Sequence, residues 1–195
     1  MESNKYSASL SANIVTYGNP VLRTKCANLE DQNEESELLL DTLWATMQKS
    51  GGLGLAAPQI NAPLKAFVVD SKGFFESLSP SKRREYFPED EGIQESFINA
   101  RIVASSEDTG IEYEACLSIP GISELTERKN RVTMEYYDAS WISRRKQFSG
   151  FTARIIQHEF DHTCGILYID YLPKLKKKML SSKLRKIKAG HLTNL

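Results

Sequence analysis

Histidine is scarce in this chain of 195 residues, with only three in all. Cysteine is equally scarce. Three cysteines, an odd number without framework spacing, argue against a disulfide scaffold and make a reducing cytoplasm the expected setting. No apolar run approaches the length needed to span a membrane. The opening MESNKYSASLSAN is polar and lacks the apolar core of a signal peptide. Internal repeats are absent. No Gly-Lys-Ser/Thr follows the small-residue stretch Gly52-Leu53-Gly54-Leu55-Ala56-Ala57-Pro58-Gln59, which argues against a phosphate loop. Acid is missing from Tyr171 to Leu195, where eight Lys or Arg stand. The other 170 residues carry 17 basic and 25 acidic side chains, so a body of −8 bears a tail of +8.

At 41% hydrophobic and 26% charged, the chain reads as one soluble globular domain with a real core. Two of its three histidines fall in His158-Glu159-Phe160-Asp161-His162. Histidines four apart on a helix project from one face, one turn above the other. Their imidazoles can grip one metal ion, and the glutamate between them can act on a water there. The run from Gly150 to Gly165 reads as that helix, with Ile155, His158, Glu159 and His162 on one face and Gly165 at the expected C-cap. The last histidine, His191, lies in the polar tail, so a third histidine ligand is not expected. The metzincin extension of the motif ends here on Tyr168, and the only acid beyond the motif is Asp170. A cysteine or an upstream carboxylate is left as third ligand. Among the cysteines, Cys164 points to another face of the helix and Cys26 has no supporting motif, which leaves Cys116.

Along the chain, residues 1–12 read as a flexible leader, and Ile14–Tyr17 as a short strand or extended piece. Val21–Leu29 is an irregular lead-in. Leu38, Leu39, Leu43, Trp44 and Met47 follow a helical period over Glu34–Ser50, ended by Gly51-Gly52. Gly52–Gln59, poor in side chains, lets backbone approach a neighbour closely. Leu64–Asp70 is a buried strand, Ser71–Ser96 an exposed loop or insertion, and Phe97–Val103 a strand. Val132–Asp138 alternates as another strand, with Trp141–Ser149 as its hairpin partner turning near Ser143–Arg145. Ile166–Leu172 is a final extended piece. From Pro173 to Lys188, the residues Leu175, Met179, Leu180, Leu184 and Ile187 line one side of a helix. The fold class is α+β: antiparallel sheets packed around a central metal-binding helix, with an N-terminal and a C-terminal helix. Residues 13–172 form a single catalytic domain and 173–195 a basic C-terminal helix and tail.

Three segments together resemble the peptide deformylase family. Gly52–Gln59 reads GLGLAAPQ and matches its first motif, Glu114–Ser118 reads EACLS and resembles EGCLS, and Gln157–His162 reads QHEFDH and matches the third. Order and spacing agree, and the resemblance runs from about Ile14 to Leu172. It implies that Cys116, His158 and His162 are the metal ligands and that Glu159 is the general acid/base. It implies that Gln59 and the backbone N–H of Leu117 hydrogen-bond the formyl oxygen as it becomes an oxyanion, each worth on the order of 3 kcal/mol. Gly52, Leu53 and Gly54 would pair with the substrate as an added strand. Leu53, Phe151 and Ile155 are expected near a slot for the methionine side chain. Glu114 and Arg128 would pair beside the second motif.

The implied reaction removes the N-formyl group from nascent chains beginning with formylmethionine. Ligand type alone favours zinc, whereas the family implies ferrous iron, replaceable by nickel, cobalt or zinc. The expected protein is a cytoplasmic monomer without membrane contact, and its basic tail helix is expected to touch ribosomal RNA. Where the second motif has glycine this chain has Ala115, strained if its φ is positive and harmless if negative. Two other readings compete. A peptidase sharing H-E-x-x-H gives Cys116 and Gln59 no role. A low-activity binding protein would rest on Ala115 and the tail.

Overall fold

The computed structural model describes residues 10–191. Most of the leader expected at 1–12 lies outside them; Ala12 N–H donates to Thr46 Oγ1 at 2.9 Å. Val15 N–H donates to Gln59 O and Tyr17 N–H to Ser118 O, so the extended piece links the first two motifs. Helix α1 (Glu34–Lys49) starts at a reciprocal cap: Asn33 Oδ1 accepts from Ser36 N–H at 2.9 Å and Ser36 Oγ accepts from Asn33 N–H at 3.0 Å. Glu34, Glu35 and Glu37 in its first turn complement the helix dipole.

One sheet has the order β1 (Gly54–Ala56), β2 (Ala66–Asp70), β3 (Gln94–Ser105), β6 (Arg131–Tyr137), β7 (Ser143–Ser149), all antiparallel. A separate ribbon pairs β4 (Thr109–Cys116) with β5 (Ile119–Lys129). Strand β2 is apolar without alternation because both faces are covered. Ala66 and Val68 join the core under α1, with Leu43 and Met47, while Phe67 and Val69 join the core under α4 (Gly150–Thr163), with Ile155 and Ile156. Helix α4 thus runs through the molecule, with the sheet on one side and the ribbon on the other.

Four local expectations change. Residues 71–96 hold two short helices, α2 (Lys72–Ser77) and α3 (Pro80–Tyr86), instead of an exposed loop alone. Phe74, Tyr86 and Phe87 pack their rings around Phe151, at centroid distances of 5.0, 5.7 and 5.9 Å. The β6–β7 turn lies at residues 138–142, earlier than expected. Asp138 Oδ1 accepts from the N–H of Ser140 and of Ile142 and closes it locally. Tyr168–Tyr171 is a 3-10 turn rather than extended chain, because Asp170 Oδ2 accepts from Leu167 N–H at 2.9 Å. On α5 (Lys174–Lys188), Leu180, Leu184 and Ile187 are buried beside Leu22 and Tyr168, but Leu175 and Met179 are 72% and 69% exposed. The apolar stripe is narrower than the composition implied: Leu175 and Met179 stand off the i, i+4, i+7 line that meets the core.

Candidate metal centre and active site

Strand β4 ends at Cys116, and α4 crosses that end. Cys116 Sγ lies 3.2 Å from His162 Nε2, and the His158 and His162 ring centroids are 5.1 Å apart. One ligand atom from each of Cys116, His158 and His162 lies within 4.8 Å of the others. The donor set fits a metal: one thiol and two imidazoles form a three-ligand set of the kind that keeps a fourth position for water or substrate. His162 Nδ1 and Glu159 Oε2 are buried without a hydrogen-bond partner among the described residues.

Second-line residues orient the triad. Glu114, two residues before Cys116, meets His158 Nδ1 through Oε2 at 2.9 Å, which leaves Nε2 for the metal. Arg128 on β5 donates Nε and Nη2 to the two Glu114 oxygens, both at 2.9 Å, and Nη1 to Asp161. The paired charges expected at Glu114 and Arg128 are therefore present and buried. Arg154, absent from the expectations, adds Nη1 to Glu114 Oε1 at 2.8 Å and Nη2 to Gly110 O at 2.7 Å. It stands four residues before His158, and that spacing on the metal face was the available signal. Tyr168, at the third-ligand position of the longer protease motif, stacks on the His158 ring at 5.8 Å.

Charge follows geometry. Burial disfavours the Glu114 anion, but hydrogen bonds from His158 and Arg128 outweigh it and hold the carboxyl far below the usual range. Burial alone would depress His158; its bonds to Cys116 and Glu114 instead raise it well above the ordinary value. Burial lowers His162, and the neighbouring His158 lowers it further. Burial also pushes Glu159 up to about 7, the range of an acid/base working near neutrality.

A cavity of about 380 Å³ opens onto the triad. The expected substrate residues Gly52, Leu53, Gly54, Phe151 and Ile155 all line it. So do Gln59, Cys116, Leu117, His158 and Glu159, while His162 lies just behind. Its walls also include Tyr113, Ile119 and Ile122, which the sequence reading did not assign. A Cβ on Gly54 would stand 2.6 Å from Glu159 Oε1, so only glycine lets β1 pass the acid this closely. Gln59 Oε1 accepts from Ala56 N–H at 2.8 Å, which turns its amide nitrogen toward Ser118 Oγ at 3.2 Å and Cys116 Sγ at 3.7 Å. Ala115 lines the cleft and is not among the residues with positive φ, so its methyl group brings no left-handed backbone strain. Strands β1 and β4 each end their sheet on the cleft side, so two strand edges flank it.

Cys26 and Cys164 take no part in this cluster. The central place of Cys116 and Gln59 disfavours the general peptidase reading.

A family model described as polypeptide deformylase matches residues 11–178. The chain is 38% identical over 184 residues to a peptide deformylase of Christiangramia forsetii, covering 92% of this chain and 90% of that one. It is 36% identical over 177 residues to that of Flavobacterium psychrophilum, covering 91% and 90%. The crystal structure of the Ehrlichia chaffeensis enzyme superposes with a TM-score of 0.80 at 29% identity, over 93% of this chain and 98% of that one. Three motifs in order, a matching fold and relatives spanning nearly the whole chain place this protein in the peptide deformylase family, the hydrolases that remove N-formyl groups from nascent polypeptides.

Proposed function

We propose that Cys116, His158 and His162 hold one divalent cation, and that Glu159, Gln59 and the Leu117 backbone N–H carry out the hydrolysis of N-formylmethionyl peptides there. The convergence of the three ligand atoms within 4.8 Å, beside a buried glutamate, carries this reading. A divalent cation held by Cys116, His158 and His162 would supply Lewis acidity for acidifying water and polarising a carbonyl oxygen. Glu159 takes a proton from the attacking water and later hands it to the departing amine. The Gln59 amide nitrogen and the Leu117 N–H donate to the oxygen as it gains charge. Gly52–Gly54 pairs with the substrate backbone as an added strand, and Leu53, Phe151 and Ile155 receive the methionine side chain.

The thiolate and imidazole set accepts zinc, nickel or cobalt as well as iron. The iron assignment rests on the family resemblance. The odd cysteine count without framework spacing supports a reducing cytoplasmic setting, in which the protein acts as a monomer. Helix α5 carries eight exposed Lys or Arg on a chain whose other part is acidic, and this supports contact between its outer face and ribosomal RNA.

The test is metal analysis of anaerobically purified protein together with formate release from formyl-Met-Ala-Ser. We expect one metal per chain and turnover in the wild type. Glu159→Ala should keep the metal and lose turnover by about 10²-fold or more. Near-native formate release from that variant sinks the role of Glu159.

A further inference from the structure

Ser118 closes the second motif, one residue beyond Leu117. It is 0% exposed and is not among the residues that line the cavity. The fold lays it against Gln59 of the first motif, 59 positions away. Gln59 Nε2 donates to Ser118 Oγ at 3.2 Å, and Gln59 Oε1 accepts from Ala56 N–H at 2.8 Å. Ala56 N–H is only a donor, so the amide oxygen must face it and the nitrogen must face Ser118. Both ends of one side-chain amide are therefore tied. The torsion that aims such an amide is broad when nothing holds it. An NH₂ group carries two donor hydrogens. Ser118 takes one, and the other is left for the cleft side, where Cys116 Sγ lies 3.7 Å away. The backbones are pinned as well. Val15 N–H donates to Gln59 O at 2.8 Å and Tyr17 N–H to Ser118 O at 2.7 Å, so one extended segment holds both residues in place.

We infer that Ser118 is a positioning residue for the oxyanion donor: its hydroxyl oxygen takes one Gln59 amide hydrogen and so aims the other at the oxygen that gains charge. This role rests on the oxyanion reading of Gln59 given above and extends it to a residue outside the cavity wall. Ser118 is not one of the three convergent donor residues either, so it acts through Gln59. The second motif then serves the site with three consecutive residues. Cys116 offers a candidate ligand, Leu117 its backbone N–H, and Ser118 the aim of the amide from the first motif. Removing the hydroxyl leaves Gln59 held at its oxygen alone, and its nitrogen end is free to turn from the productive direction. The slot and the β1 edge are untouched by that change, so the loss falls on kcat and not on KM.

The experiment is a double-mutant cycle of Ser118→Ala and Gln59→Leu in the zinc-loaded full chain, read by formate release from formyl-Met-Ala-Ser. Ser118→Ala should keep one metal per chain and the wild-type KM, and lower kcat by about 3–10-fold, the worth of one hydrogen bond. In the Gln59→Leu background the same substitution should change kcat by less than about twofold, because no amide is left to aim. A merely structural Ser118 would lower kcat by the same factor in both backgrounds. Ser118→Gly, which also lacks the hydroxyl, takes its place in the cycle if Ser118→Ala does not fold. Equal losses in the two backgrounds, loss of metal from the Ser118 variant, or a wild-type kcat in that variant would each overturn the inference while leaving the role of Gln59 intact. A wild-type kcat in Gln59→Leu alone would overturn the oxyanion reading, and the role of Ser118 with it.

Discussion

His158 Nδ1 and Glu114 Oε2 lie 2.9 Å apart, and both groups are buried. One carboxylate therefore braces an imidazole of the candidate metal cluster while two arginines bond to the same carboxylate. Removing only the charge should disturb both functions. We expect Glu114→Gln to weaken metal binding by about 10–100-fold. It should also lower stability by about 3–5 kcal/mol, since Arg128 and Arg154 lose their shared counter-ion in a dry site. Chelator competition and denaturant unfolding measure the two effects. Unchanged values in both would mean that the brace is not structural.

Gln59 tests transition-state stabilisation separately from metal holding. Its side chain reaches toward the cluster but is not one of the three convergent donors. Gln59→Leu should leave metal content intact and lower kcat by about 10²–10³-fold with little change in KM. A kcat close to wild type would remove it from the oxyanion site.

The slot makes a prediction about substrates. Ile155 precedes Glu159 by one turn, and Phe151 is clamped by Phe74, Tyr86 and Phe87. Each methylene placed in such a pocket is worth about 1–3 kcal/mol. A formyl-norleucyl peptide should therefore exceed a formyl-alanyl peptide by at least roughly 100-fold in kcat/KM. Equal rates would mean that no such slot exists.

The tail must be tested by charge rather than by truncation. Cutting before α5 would expose Leu180, Leu184 and Ile187, each worth about 1.5–3 kcal/mol of burial, and would confuse unfolding with lost contact. Replacing exposed Lys174, Lys178, Lys183 and Lys186 by Gln spares those side chains. Lys176 and Lys177, bonded to Glu124 and to Asp170 O, are left in place. Co-sedimentation with ribosomes should weaken and become less salt-dependent, because fewer counterions are released from the RNA. Formate release from a short free peptide should not change. If the variant sediments like wild type at low and high salt, α5 is a structural helix only.

The motif helix was legible because its evidence is local. Spacings of three, four and seven put Ile155, His158, Glu159 and His162 on one face whatever surrounds them. The small-residue stretch before Gln59 likewise announced a close approach, and Gly54 makes it against Glu159. Other elements misled for local reasons of their own. Asp138 closes its turn with a side chain that alternation does not register, and Asp170 does the same for the 3-10 turn after α4. On α5, every leucine looked equal until packing chose Leu180 and Leu184 over Leu175.

By itself the sequence determined the family and singled out the candidate site residues: two histidines and a glutamate at helical spacing, a cysteine and a glutamine in motifs of matching order, and an acidic body with a basic tail. Tertiary structure alone decided what braces those residues. Arg154 reaching Glu114 across 40 residues, the aromatic cap on Phe151, and Cys26 lying beside the end of α4 all depend on contacts between distant segments. Periodicity reports which face of an element is buried, because that follows from the backbone repeat. It carries no record of which distant side chain completes a hydrogen bond there, because that choice is made only when the sheet, the ribbon and the helix pack together.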